Sequence, residues 1–126
     1  MKKVIFTEKA PTAIGAYSQA VEANGMLFVS GQIPLNPATM KLVEGGIKEQ
    51  TERVLQNIEI ILKEAGYTVK DVVKATILLN DIGNFSEVNQ IYSTVFANNP
   101  PARATYEVGR LPMGAMIEIE TIAVKS

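Results

Sequence analysis

The chain has 126 residues, 47% hydrophobic and 20% charged, with twelve basic against thirteen acidic side chains and a formal charge of -1. That length and balance fit one folded, soluble domain over residues 1–126, able to bury roughly two-thirds of the surface its unfolded form exposes. With no cysteine and no histidine, disulfides, thiol catalysis, imidazole bases, Ser-His-Asp triads and Cys- or His-ligated zinc are excluded.

The N-terminal MKKVIFTEK offers only Val4, Ile5 and Phe6 as an apolar run, too short for a secretory signal, and no later run approaches the ~20 residues of a membrane helix. A cytoplasmic protein is expected. Residues 3–7 and 26–30 are β-branched and aromatic strand signals, Asn24-Gly25 is a turn signal, and residues 18–23 supply the partner strand. Between residues 32 and 46, Pro34, Asn36-Pro37 and Gly45-Gly46 predict a long irregular loop. A helix then starts near Ile47, with Val54, Leu55, Ile58, Ile61, Leu62 and Ala65 in one apolar stripe, and Gly66 stops it. Glu49 with Arg53 and Glu59 with Lys63 are i,i+4 pairs on its solvated side.

Residues 72–79, VVKATILL, read as a strand buried on both faces, closed by Asn80-Asp81. Asn84 followed by Glu87 has the form of a helix cap. Phe85, Val88, Ile91, Tyr92, Val95 and Phe96 give a second amphipathic helix, which Asn98 to Pro101 break. Residues 102–108 and 116–124 are the last two strands. The order β-β-β-α-β-α-β-β predicts an α+β fold, a mixed sheet with two helices on one face. The other face then needs a cover, for which a homo-oligomer is the simplest source, and a closed assembly places small-ligand clefts between neighbouring chains.

The densest chemistry lies in PPARATYEVGRLPMGAMIEIE. Alternation groups Arg103, Thr105 and Glu107 on one face of their strand, and Glu118 with Glu120 on one face of the next. A hairpin pairing position 105 with 118 would gather Arg103, Thr105, Glu118 and Glu120, and a one-residue slip would separate them. Such a cluster suits a substrate carboxylate on the planar Arg fork, with a Glu holding or deprotonating water. It equally suits a structural Arg-Glu ion pair, and spacing does not separate the two. Ser30-Gly31 at a strand end allows close ligand approach to the backbone, or is a plain turn. Tyr17 is a pocket cap or ordinary packing. Asn89, one position past Val88 on the second helix, is a site residue or an exposed polar group.

The segments APTAIGAYSQAV, LFVSGQIPLNP, QTERVLQNIEIILKEAG, VVKATILLNDIGNFSEVNQIY and PPARATYEVGRLP with IEIE, in this order and spacing, resemble the Rid (YjgF) family of reactive-intermediate deaminases over essentially the whole chain. The resemblance implies a chorismate-mutase-like fold and a homotrimer with three sites between subunits. Arg103 would grip the substrate carboxylate and Glu118 would position the attacking water. Gly31 would offer a backbone donor, with Tyr17, Ser30, Thr105 and Asn89 lining or edging the pocket. Thr105 stands where some members have Cys, so catalysis here cannot depend on a thiol. The implied reaction is cofactor-free and metal-free: hydrolytic deamination of 2-aminoacrylate or 2-aminocrotonate, as imines, to 2-oxo acids and ammonia. PLP-dependent dehydratases would supply the substrate. Two alternatives remain, a larger enamine such as 2-aminomuconate and an RNA-interacting or regulatory role. The near-neutral charge and lack of a basic stripe weigh against nucleic acid.

Overall fold

Turn residues divide the apolar runs into strands β1 (Lys3–Ile5), β2 (Ala20–Ala23), β3 (Met26–Gln32), β4 (Leu35–Asn36), β5 (Lys41–Leu42), β6 (Val72–Leu79), β7 (Ala102–Glu107) and β8 (Ile117–Val124). The helices are α1 (Ile47–Glu64) and α2 (Phe85–Val95) in this computed structural model, which describes residues 1–125. Six strands form one mixed sheet in the order β1-β2-β3-β8-β6-β7, antiparallel except for the parallel β6–β7 pair. The expected α+β fold, with both helices on one face, is what the chain adopts.

Alternation decides the two faces. Along β8, Ile117, Ile119, Thr121 and Ala123 are buried, while Glu118, Glu120, Ile122 and Val124 are not. The rungs carry the pattern sideways: Ile119 aligns with Ile77, and Ala123 with both Leu27 and Val72. Helix α1 lays Val54, Leu55, Ile58, Ile61 and Leu62 on that face, all essentially sealed. Val88, Tyr92 and Phe96 extend the same core from α2 and the residue after it. On the opposite face Val4, Phe28 and Tyr106 stay exposed, because none of the described elements packs there. The strand expected to be buried on both faces is accordingly buried on one, with Lys74 exposed and Thr76 and Leu78 partly so.

Three local readings change. The predicted irregular loop contains the β4–β5 hairpin, held down by the buried Asn57 of α1, whose Nδ2 donates to Leu35 O at 3.0 Å. Glu49 does not reach across to Arg53. It folds back to accept the Gly46 N–H at 2.9 Å and caps α1, which holds its carboxyl below the usual range. A side chain at Gly45, where φ is +108°, would meet that Glu49 carboxylate, so only glycine suits the turn. Asn84 makes no cap bond because its backbone is already helical. Asp81 caps the preceding turn instead, accepting from Gly83 N at 2.8 Å. Among the described residues one ion pair forms, Lys125 with Glu22 at 3.9 Å, and Glu22 also accepts from the Tyr67 hydroxyl at 2.6 Å.

Truncating the sealed contact between sheet and helices at Ile77 should cost about 2–5 kcal/mol, whereas Glu59→Ala on the solvated side of α1 should stay within about 0.5 kcal/mol. Urea unfolding of both variants at one fixed protein concentration checks the contrast.

Candidate active site

The strand β7 follows β6 through α2, and a strand-helix-strand unit with a right-handed crossover pairs its strands in parallel. So β7 lies beside β6, at the edge of the sheet, and β6 separates it from β8. The expected hairpin between residues 102–108 and 116–124 does not form. Position 105 aligns through Ile77 with Ile119, and position 118 aligns through Leu78 with Tyr106. Arg103 and Thr105 therefore face the helices, while Glu118 and Glu120 face the open side. The single cluster expected of Arg103, Thr105, Glu118 and Glu120 is split across the sheet, with two strand spacings, about 10 Å, between β7 and β8.

The first candidate cluster is at the sheet edge. Arg103 shares a rung with Ala75 and Thr121, and its guanidinium extends over α2. Its Nη1 donates to Asn89 Oδ1 at 2.7 Å, and its Cζ lies 4.9 Å from the Tyr92 ring centroid and 5.1 Å from that of Phe85. These are cation–π distances. Beside it opens a cleft of about 580 Å³, walled by Ser93, Phe96, Pro100 and Pro101. Of the sequence candidates, Arg103 and Asn89 are thus in contact. Phe85 and Tyr92 were legible only as core-stripe residues, although their spacing around Asn89 signals a shared helix face.

The second candidate cluster is on the open face. The β3–β8 ladder pairs Val29 with Thr121 and then Gln32 with Ile119, skipping Ser30 and Gly31. In this bulge Ser30 Oγ donates to Ser18 O at 2.6 Å, tying the strand to the segment that carries Tyr17. The exposed Tyr17 ring and Ser30 line one cleft of about 580 Å³ together with Phe28 and Glu120. Glu118 lies against Gly31: an added Cβ there would come within 2.9 Å of Glu118 Cδ, so glycine is what lets the carboxylate lie over the bulge. Half-buried, Glu118 has its carboxyl pKa raised above the usual 4.5, first by burial and then by the Glu120 charge. A raised pKa makes this carboxylate a stronger proton acceptor than an exposed one. No cluster of three acidic side chains is placed to hold a metal among the described residues.

A sequence model of the family described as Endoribonuclease L-PSP matches residues 7–125. The chain belongs to the L-PSP (Rid/YjgF) family. A RutC family protein of Pyrococcus horikoshii is 51% identical over 99% of both chains. A rat protein named 2-iminobutanoate/2-iminopropanoate deaminase is 53% identical over 99% of this chain and 91% of its own. Among solved structures, Escherichia coli TdcF with bound serine superposes with a TM-score of 0.94 at 38% identity, covering 98% of this chain and 99% of that one. The Rid-family fold thus extends along the whole described chain, with Arg103 on the edge strand and the Ser30-Gly31 bulge in the sheet.

The raised Glu118 pKa has a signed consequence. Between 4.5 and its folded pKa the native chain binds more protons at this group than the unfolded chain does, so its ionisation destabilises the fold as pH rises through that window. Glu118→Gln should therefore be more stable than wild type at pH 7, and the advantage should vanish below about pH 4. Thermal melts of both proteins across that range check the sign.

Proposed function

We propose that the protein hydrolyses reactive 2-imino acids, and their 2-enamino tautomers, to 2-oxo acids and ammonia at sites formed between copies of the chain in a homotrimer. The observation that carries this reading is the division of the site between the sheet edge and the open face. One copy presents Arg103 and Asn89 at its edge, and a neighbour presents Tyr17, Ser30, Gly31 and Glu118 beside the exposed Val4, Phe28 and Tyr106. Docking the edge of one copy against the open face of the next buries that apolar surface and completes the site. The deaminase name of the 53% identical rat relative and the serine held by TdcF support a small carboxylate-bearing substrate.

In this scheme the substrate carboxylate pairs with the planar Arg103 fork, which fixes the imine carbon relative to Glu118. Water held by Glu118 adds to that carbon, its proton passing to the carboxylate. That proton passes on to the imine nitrogen to give a carbinolamine. Glu118 then takes the hydroxyl proton and hands it to the amino nitrogen, so the C–N bond breaks as C=O forms and ammonia leaves. Gly31 offers its backbone amide, Tyr17 and Ser30 close the pocket, and Thr105 stands on the same strand face as Arg103. Because such imines also hydrolyse unaided, orientation and modest charge stabilisation suffice, with no histidine, metal or cofactor. PLP-dependent dehydratases, which release 2-aminoacrylate and 2-aminocrotonate, would supply the substrate in the cytoplasm.

A dehydratase making the imine in the presence of semicarbazide provides the test. Adding this protein should lower the trapping rate, and an unchanged rate would refute the proposal. Arg103→Ala should lose about 10²-fold or more in kcat/KM, and Glu118→Gln about 10²–10⁴-fold, both with the oligomer intact by light scattering.

A further inference from the structure

Phe85, Asn89 and Tyr92 stand at i, i+4 and i+7 on α2, so they share one stripe of the helix over a rise of about 10.5 Å. The Arg103 Cζ is 5.1 Å from the first ring and 4.9 Å from the last. A single cation at nearly equal distance from two rings seven residues apart must sit in the gap between them. Asn89 occupies the middle of that gap and accepts from Nη1 at 2.7 Å. Phe85 and Asn89 are partly buried and Tyr92 is buried, while Arg103 itself is exposed. A solvent-exposed side chain therefore rests on a wall that the core holds in place.

We propose that Phe85, Asn89 and Tyr92 are positioning residues: two aromatic rings and one neutral acceptor that hold the Arg103 guanidinium in a single plane, leaving its other N–H edge for a carboxylate ligand. The proposal rests on the reading of Arg103 as a carboxylate anchor and adds what orients it. Two features of the wall bear on this role. The acceptor is an amide, which orients the cation without neutralising it, whereas a carboxylate at position 89 would be a resident counter-ion competing with the ligand. The Tyr92 hydroxyl is buried and has no hydrogen-bond partner among the described residues, so the ring supplies the contact with Arg103 and the hydroxyl does not.

The test uses the full-length protein, with 2-oxobutanoate as the probe in calorimetric titrations, 2-iminobutanoate turnover for KM and kcat, and nitrogen-15 NMR of the Arg103 guanidinium, assigned by its loss in Arg103→Lys. Restricted rotation in wild type should give separate Nη resonances. Tyr92→Leu should merge them and raise KM about tenfold with a smaller change in kcat, and Tyr92→Phe should restore both to near wild type. Asn89→Asp should keep the resonances separate yet weaken 2-oxobutanoate binding about tenfold or more, from the competing charge. A wild-type protein that turns over imine but shows one averaged Nη signal, or a wild-type KM in Tyr92→Leu together with wild-type 2-oxobutanoate binding in Asn89→Asp, overturns the cradle. Separate Nη signals that merge in Tyr92→Leu, in a protein that binds no 2-oxobutanoate, would support the cradle and refute the carboxylate reading instead. Should Tyr92→Leu fail to fold, Phe85→Leu carries the same expectations.

Discussion

Period-two alternation along β8 is the constraint on which the molecule rests. It sends Ile117, Ile119 and Ala123 under the helices and Glu118 and Glu120 to the other side, and because β8 is hydrogen-bonded to both β3 and β6, this choice propagates to every neighbouring rung. Two helices can shield only one of the resulting faces. The shielded face holds the main core, and the unshielded one keeps carboxylates beside exposed Phe28 and Tyr106. A carboxylate placed among apolar neighbours loses hydration, which is the first cause of the raised Glu118 pKa. The same alternation that stabilises the fold thus also raises the Glu118 carboxyl pKa.

Glycine makes the second adjustment. The β3–β8 ladder cannot run unbroken past Ser30 and Gly31, and the bulge there opens a space that Glu118 fills. A bulge re-aims the side chains beside it and leaves backbone groups outside the ladder, which is why bulges recur at ligand-facing positions. Here one missing side chain admits the close approach of the carboxylate to the backbone of β3.

Most of the fold was legible in the sequence because its signals are local. The α1 stripe from Val54 to Leu62, the VVKATILL strand and the aromatic spacing of α2 each specify an element within a dozen residues, and each forms where expected. The β4–β5 hairpin escaped because two-residue strands carry no periodicity, and what secures them is Asn57, more than twenty residues away. The pairing of β7 escaped for a different reason. Two strands joined by Gly109 to Ala115 look like a hairpin, but pairing of β8 with both β3 and β6 leaves β7 only the edge beside β6. Face assignment within each strand survived that error, since alternation does not depend on partners. Which faces coincide did depend on them, and so the grouping of Arg103 with Glu118 within one chain failed.

That failure also reshapes what the candidate residues mean. Had β7 and β8 been neighbours, Arg103 and Glu118 would satisfy each other as an ion pair, and nothing would be left for a ligand. Separated by a strand and by the thickness of the sheet, each instead finds a neutral or like-charged environment: an amide and two rings for Arg103, a glycine backbone and Glu120 for Glu118. Among the described residues neither side chain has an ion-pair partner. A structural ion pair minimises the field it projects, whereas this arrangement preserves a cation at one boundary of the molecule and an ionisable carboxyl at another. Under the proposed assembly the two boundaries meet, and the substrate, with a negative end for Arg103 and an electrophilic carbon for water at Glu118, fills the gap that the fold keeps open between them.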